Sequence, residues 1–267
     1  MSNWSMPAAS RMETLGAGTG EGVTVTASAA ANAKGSYATL GTAGLSYSGF
    51  VLQMLPANSG KYRVDVAINT GGSDQVIVED WLIDATSSGA SRSVQNLWLP
   101  IAIPSGAAVK ARCQAATGSH ALRVLLTGYA QDFPGFPGFR ALRSLTTFSA
   151  TEAPTVTQNG TTQTATWQEF SATPLAEPVA ALYFAVSTGG DNARTTSRWL
   201  AEVASGASGS EVSRLILQGA QNTTDITPGV WGPFPAMLPP STRLSFKVQC
   251  QAAAVDTFGL AAYGLIP

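Results

Sequence analysis

A chain of 267 residues with 15 lysines and arginines, 16 acids and one histidine carries a formal charge of −1, and only 12% of its residues are charged, about half the usual share. Such a chain offers no basic field to nucleic acid and no cationic face to a membrane. Two cysteines and one histidine are too few for a zinc site, and no metal or cofactor is expected.

Residues 1–22 are small and polar, with glycine at 16, 18, 20 and 22 and no apolar period. They read as an N-terminal arm or loop, either a loose terminus or an arm that orders on a neighbouring subunit. The first eleven residues lack the basic segment and apolar run of a signal peptide, and no window reaches the roughly 18 apolar residues of a spanning helix. The expectation is a protein made in a cytoplasm, without membrane insertion.

Short strands follow over 23–26, 36–40 and 50–55, punctuated by Gly41, Gly44, Gly49 and Pro56. In 61–68, Tyr62, Val64, Val66 and Ile68 alternate with Lys61, Arg63 and Asp65, the period of two of a half-buried strand. The turn 69–74 returns the chain into a Val- and Ile-rich strand over 75–83, and a hydroxyl-rich loop fills 85–93. Pro100 places the next strand, 96–103, at a sheet edge or breaks it there, and Pro104-Ser105-Gly106 turns the chain again.

Residues 109–116 read V-K-A-R-C-Q-A-A, and residues 246–253 read F-K-V-Q-C-Q-A-A. Cys113 and Cys250 are 137 residues apart, about half the chain, so the molecule is a duplicated domain rather than a short tandem repeat. The same spacing relates Asp65 to Glu202 and Asp74 to Glu211, and Trp98 pairs with Trp231 in order. Strands over 166–170, 179–186, 198–203, 212–218, 231–234 and 258–264 complete the second copy. The expected division is an arm at 1–22, a first domain at 23–131, a linker at 132–142 and a second domain at 143–267. Each half is large enough to fold alone, burying roughly two-thirds of its unfolded surface. The linker holds Phe133, Phe136 and Phe139 among Pro and Gly, too apolar for a solvated tether, so these rings should pack between the domains as a stiff joint.

Many short strands and almost no helical period make the fold class all-β: two tandem antiparallel β-sandwich domains, jelly-roll-like, related by internal duplication. Both cysteines fall on inward faces and read as buried free thiols.

Catalytic chemistry finds little support. His120 sits in a Thr-Gly-Ser-His hairpin tip and reads as an exposed turn residue, with no nucleophile or orienting acid assigned to it. The recurring acids, Asp65 with Glu202 and Asp74 with Glu211, could run glycoside hydrolysis if set about 5 to 10 Å apart. Their places on a polar strand face and after Gly-Gly-Ser and Ser-Gly-Ser turns favour structural roles. The expectation is not an enzyme, with no catalytic residue. Trp81 and Trp199 lie in apolar strands and read as core. Trp98 and Trp231, each near a proline at an edge, are the candidates for an outer contact with protein or glycan. The linker phenylalanines Phe133, Phe136 and Phe139 join them as interface candidates.

The cassette D-V-A-I-N-T-G-G-S-D-Q-V-I-V at 65–78, then L-P-I-A-I-P-S-G at 99–106 and K-A-R-C-Q-A at 110–115, resembles a repeat of tailed-bacteriophage virion structural proteins. The second copy matches at 202–211 and 249–252, with Pro239-Pro240 in place of the Pro-x-Gly turn and no arginine. The resemblance implies a non-enzymatic structural component of a phage particle, in tail, baseplate, fibre or head decoration. Its partners would be other virion proteins and copies of itself, its location the virion, and it transfers no catalytic residue. The alternative is a carbohydrate-binding β-sandwich module for a host-surface glycan, using Trp98, Trp231 or a loop tyrosine such as Tyr47.

Overall fold

Alternating side chains decide the layers. In Gly60–Asn69, Tyr62, Val64 and Val66 are wholly buried, and such a face must find a second sheet to cover it. The computed structural model describes residues 11–85, 94–130, 138–159, 162–188, 197–222, 225–226, 230–250 and 255–267. Among these it has no α-helix and nineteen strands. The first nine are β1 (Arg11–Leu15), β2 (Val23–Thr26), β3 (Ala38–Thr42), β4 (Gly49–Pro56), β5 (Gly60–Asn69), β6 (Gln75–Ala85), β7 (Gln95–Leu99), β8 (Ala108–Ala115) and β9 (Ala121–Ala130). Then come β10 (Ala141–Ser144), β11 (Thr155–Asn159), β12 (Gln168–Glu169), β13 (Val179–Thr188), β14 (Ser197–Ser205), β15 (Val212–Asn222), β16 (Asp225–Ile226), β17 (Val230–Leu238), β18 (Leu244–Cys250) and β19 (Val255–Ile266).

In the first half, β1-β9-β4-β7 form one layer, with β2 also on β9, and β6-β5-β8-β3 form the other. In the second half β10-β19-β13-β17, with β11 on β19, repeat the first layer, and β15-β14-β18-β12 repeat the second. Each half therefore has the two-sheet strand order of a jelly roll. Register confirms the duplication: Val66 stands opposite Val78 beside a bulge, and Val203 stands opposite Leu215 beside a bulge.

The turns have local causes. Asn69 Oδ1 accepts the N–H of Gly71 at 2.9 Å and its amide donates to Gly72 O at 2.7 Å, an Asx turn that needs Gly71 at φ 106°. Gly106, at φ 82°, closes the turn in which Ala107 N–H bonds Pro104 O and feeds the chain into β8.

The two halves are not separate beads. β10 pairs antiparallel with β19 and parallel with β6, Leu142 opposite Val78, so the inner layers fuse into one nine-stranded sheet. The first core then runs across the junction to Tyr183, Tyr263 and Leu265, while Phe170, Phe184, Trp199 and Phe246 centre a second core.

Four sequence expectations change. β1 lies inside the segment read as an arm, because Glu13 anchors it: its carboxylate accepts from Gly44 N, Leu45 N and the Tyr47 hydroxyl at 2.8, 3.2 and 2.5 Å. β10 begins inside the expected linker and is a sheet strand. β11 occupies a stretch that showed no strand pattern. Trp231 stands opposite Phe184 as Leu97 stands opposite Leu52, so its structural counterpart is Leu97, one residue from Trp98. The first ten residues of the arm and the end of the echo strand at 251–253 lie outside the described residues.

Candidate functional site

Paired carboxylates are the catalytic possibility that the sequence raises. Asp65 is buried in the outer face of β5, where its Oδ2 accepts from Lys34 Nζ and Arg112 Nε, both at 2.8 Å, and its Oδ1 from Asp80 N at 2.9 Å. Lys34 also reaches Asp80 at 2.8 Å, Arg112 lies over the Tyr37 ring at 4.5 Å and Arg63 over Phe148 at 4.8 Å. Burial disfavours the Lys34 charge, but the two carboxylates outweigh it and hold its ammonium above the ordinary lysine value. Asp65 reads from sequence as a polar-face residue; in the structure it is the buried anion of an ion-pair cluster that ties residue 34 to β5 and β8.

The other acids are also engaged. Asp74 accepts from Lys110 at 2.7 Å and Asn69 at 2.8 Å, Glu211 pairs with Arg243 at 3.0 Å, and Glu202 accepts from Gln163 at 2.6 Å. Among the described residues no three His, Cys, Asp or Glu side chains converge to hold a metal ion.

His120 is half-buried rather than exposed, its ring 6.4 Å from that of Tyr62, because the hairpin tip folds back over β5. Cys113 is a buried free thiol, and burial pushes its pKa up to about 12. The side chain of Cys250 lies outside the described residues.

Among the described residues every aromatic side chain is buried or half-buried. Tyr47, a glycan candidate, is 2% exposed and packs over Gly128, where a Cβ would lie 2.4 Å from its ring. Trp98 is half-buried edge-on to Tyr129 at 5.5 Å, with its carbonyl accepting from Tyr183 at 3.0 Å, so it sits at the junction of the halves. Trp231 is half-buried against the second core. Trp81 and Trp199 are core, at 0 and 3% exposure. Phe139 packs partly buried on the first core, its N–H and C=O bonded to Pro100 and Ala102. Phe133 and Phe136 lie outside the described residues. No described aromatic side chain is fully exposed. An open depression of about 620 Å³, lined by Gln53, Leu55, Pro56, Val94, Arg123 and Leu125 among others, has no aromatic residue among its described lining.

What is exposed is aliphatic. Met12 on β1, Val212 and Ile216 on β15, Leu200 on β14 and Met237 on β17 all present large apolar side chains to solvent. Leu200 stands opposite Gln218 and Ile216 opposite Glu202, so Leu200 and Ile216 lie diagonally on one outer face beside the β15 edge. Single exposed apolar residues are ordinary, but these share the outer face of β14 and β15, and among the described residues β15 pairs beyond β14 only with the two-residue β16. Sequence reading missed this surface, although a signal was present: β6 carries Gln75 and Glu79 where the second copy carries Val212 and Ile216.

No family model matches the chain, and no curated protein matches it. Among solved structures it is similar to the tandem CBM22-1 and CBM22-2 N-terminal domains of Xyn10C from Paenibacillus barcinonensis, at 8% identity and TM-score 0.26 over 96% of this chain and 90% of that one. It is also similar to vicilin from Capsicum annuum, at 9% and 0.20 over 86% and 75%, and to a structure of infectious bursal disease virus strain Gx, at 8% and 0.21 over 96% and 72%. Likeness this loose carries no argument about function.

Proposed function

We propose that this chain is a structural component of a tailed-phage particle, a minor tail, baseplate or fibre-associated protein or a capsid decoration. It works through protein–protein contacts in a symmetric assembly. The observation that carries the reading is the aliphatic outer face of β15 and its neighbour β14: Val212 at 56%, Ile216 at 66% and Leu200 at 41% exposure, on a strand that among the described residues pairs beyond β14 only with the two-residue β16. A fused slab of two sandwiches with few surface charges suits repeated contact with neighbours, and repetition in a symmetric particle turns weak contacts into avidity. The sequence resemblance at 65–78, 99–106 and 110–115, and at 202–211 and 249–252, points the same way. A glycan module would instead present an exposed ring for stacking, and the described aromatic side chains are buried or half-buried.

The test is quantitative mass spectrometry of purified particles. The expected result is this protein at a fixed copy number per virion; its presence in the lysate but absence from purified particles overturns the reading. Glycan-array binding lost on Trp98→Ala would replace it with the carbohydrate-binding alternative.

A further inference from the structure

The contact that joins the two halves has two sides, and a counterpart of each side has, among the described residues, no such partner strand elsewhere in the same molecule. On one side of the contact is β10, whose counterpart is β1: Arg143 stands opposite Gly264 in β19 and Glu13 opposite Gly128 in β9. On the other side is β6, whose counterpart is β15, because Val66–Val78 and Val203–Leu215 are the same step of the same bulged ladder. Leu142 therefore corresponds to Met12, and Val78 to Leu215.

Burial separates the covered pair from the uncovered one. Leu142 and Val78 are each 0% exposed at the junction, whereas Met12 is 65% exposed and Leu215 only half-buried. Among the described residues β1 has β9 on one side and no strand on the other. Among the described residues β15 has β14 on one side, and on the other only the two-residue β16, opposite Gln221 and Asn222 and well past Leu215. The open edge is also the more apolar one, with Val212 and Ile216 where the covered strand has Gln75 and Glu79.

We propose that β1 of one copy pairs in parallel with β15 of a second copy, Met12 opposite Leu215, repeating between molecules the strand pairing that already joins the halves within one. The occupant of each edge is thus another copy of this chain. Each molecule offers one β1 and one β15, so the contact is head to tail and builds a row or, where the rotation closes, a ring. This rests on the reading of the protein as an assembly component and names its partner and surface. The intermolecular contact is weaker than the internal one. Arg143 donates to Val76 O and Ser144 N to Glu79 across the junction, while Glu13 is spent on its own sandwich.

Sedimentation velocity of the full-length chain over a concentration series tests this. Wild type should form concentration-dependent species larger than a dimer, and Met12→Glu should weaken association about tenfold or more with an unchanged circular dichroism spectrum. Directly opposed residues on adjacent strands lie within disulfide reach, so Met12→Cys with Leu215→Cys, in a background with Cys113→Ala and Cys250→Ala, should give on oxidation a ladder that reductant collapses. Either single cysteine variant has no thiol opposite it in this contact and should give no ladder. A wild-type monomer at every concentration with no ladder, or association indifferent to Met12→Glu, overturns the proposal. Virion copy number, measured separately, shows whether the wider assembly reading has failed as well.

Discussion

The hydroxyl of Tyr263 donates to the backbone carbonyl of Asp80 at 2.9 Å and accepts the N–H of Leu82 at 2.8 Å. Asp80 sits at φ 51° in a bulge of β6, which leaves these backbone groups off the ladder, and a side chain from the second sandwich completes a strand of the first. The ring is fully buried, 4.6 Å from Trp81. Tyr263→Phe strands the Leu82 N–H in the core, and an unsatisfied buried donor costs about 1–3 kcal/mol. Urea unfolding should show that loss as a lower midpoint. Because the sheet and the first core run through the junction, wild type should unfold in one transition whose slope matches the whole chain. Two resolved transitions would mean that the sandwiches are energetically independent.

The equivalent acids Asp65 and Glu202 should respond differently to the same change. Asp65→Ala leaves Lys34 and Arg112 without their shared anion; breaking a buried pair costs about 3–5 kcal/mol. Lys34 and Arg112 retain 28 and 29% side-chain exposure and can rehydrate, so the expected loss is about 2–3 kcal/mol. Glu202→Ala removes one hydrogen bond to Gln163 at a solvated site and should fall within about 0.5 kcal/mol of wild type. Thermal melts of the two variants decide the matter, and equal losses would refute the asymmetry.

Glu13 makes the β1 anchorage sensitive to acid. Its hydrogen bond from Tyr47 holds its carboxyl below the ordinary glutamate value, outweighing desolvation, with help from Gly44 and Leu45 N–H. A carboxyl lowered in the folded state contributes stability that is complete above its unfolded pKa and lost as pH falls through the folded one. The loss should therefore begin near pH 4.5 and grow below it. In Glu13→Gln that part of the acid dependence should disappear, with stability at neutral pH lower by about 1–2 kcal/mol. Melts of both proteins between neutral and acidic pH measure it; parallel curves would exclude Glu13 as the source.

Much of the fold was legible where a strand has one wet face and one dry face. The alternation in 61–68 and 109–115 exists because β5 and β8 lie in the middle of a layer with one side on the core. β1 and β10 escaped notice because four or five residues are too few to display a period, and their places are set by distant groups: Tyr47 and Gly44 for Glu13, Val78 for Leu142. The parallel β10–β6 pairing joins halves that sequence repetition presents as independent, and no local pattern encodes it. Asp65 illustrates a second limit. An acid on the polar side of a strand looks solvated until residue 34 folds over it.

The equivalence of the two cysteine strands finally bears on reactivity. Cys113 is 0% exposed in β8, its thiol directed at Val25 O at 3.5 Å, and burial raises its pKa to about 12. Since the thiolate is the attacking species, almost none exists at neutral pH, and reagent cannot reach it without opening the sandwich. In a Cys250→Ser protein, Cys113 should therefore react with a thiol reagent only as fast as the first sandwich opens, and addition of denaturant should release it at once. Cys113→Ala removes a small buried side chain and should cost about 1 kcal/mol, leaving the oligomer distribution intact because β8 lies inside its layer, between β5 and β3. Fast labelling in native buffer would place the thiol on an accessible face. A loss of oligomers in a folded Cys113→Ala protein would move the interface from the β1 and β15 edges to β8.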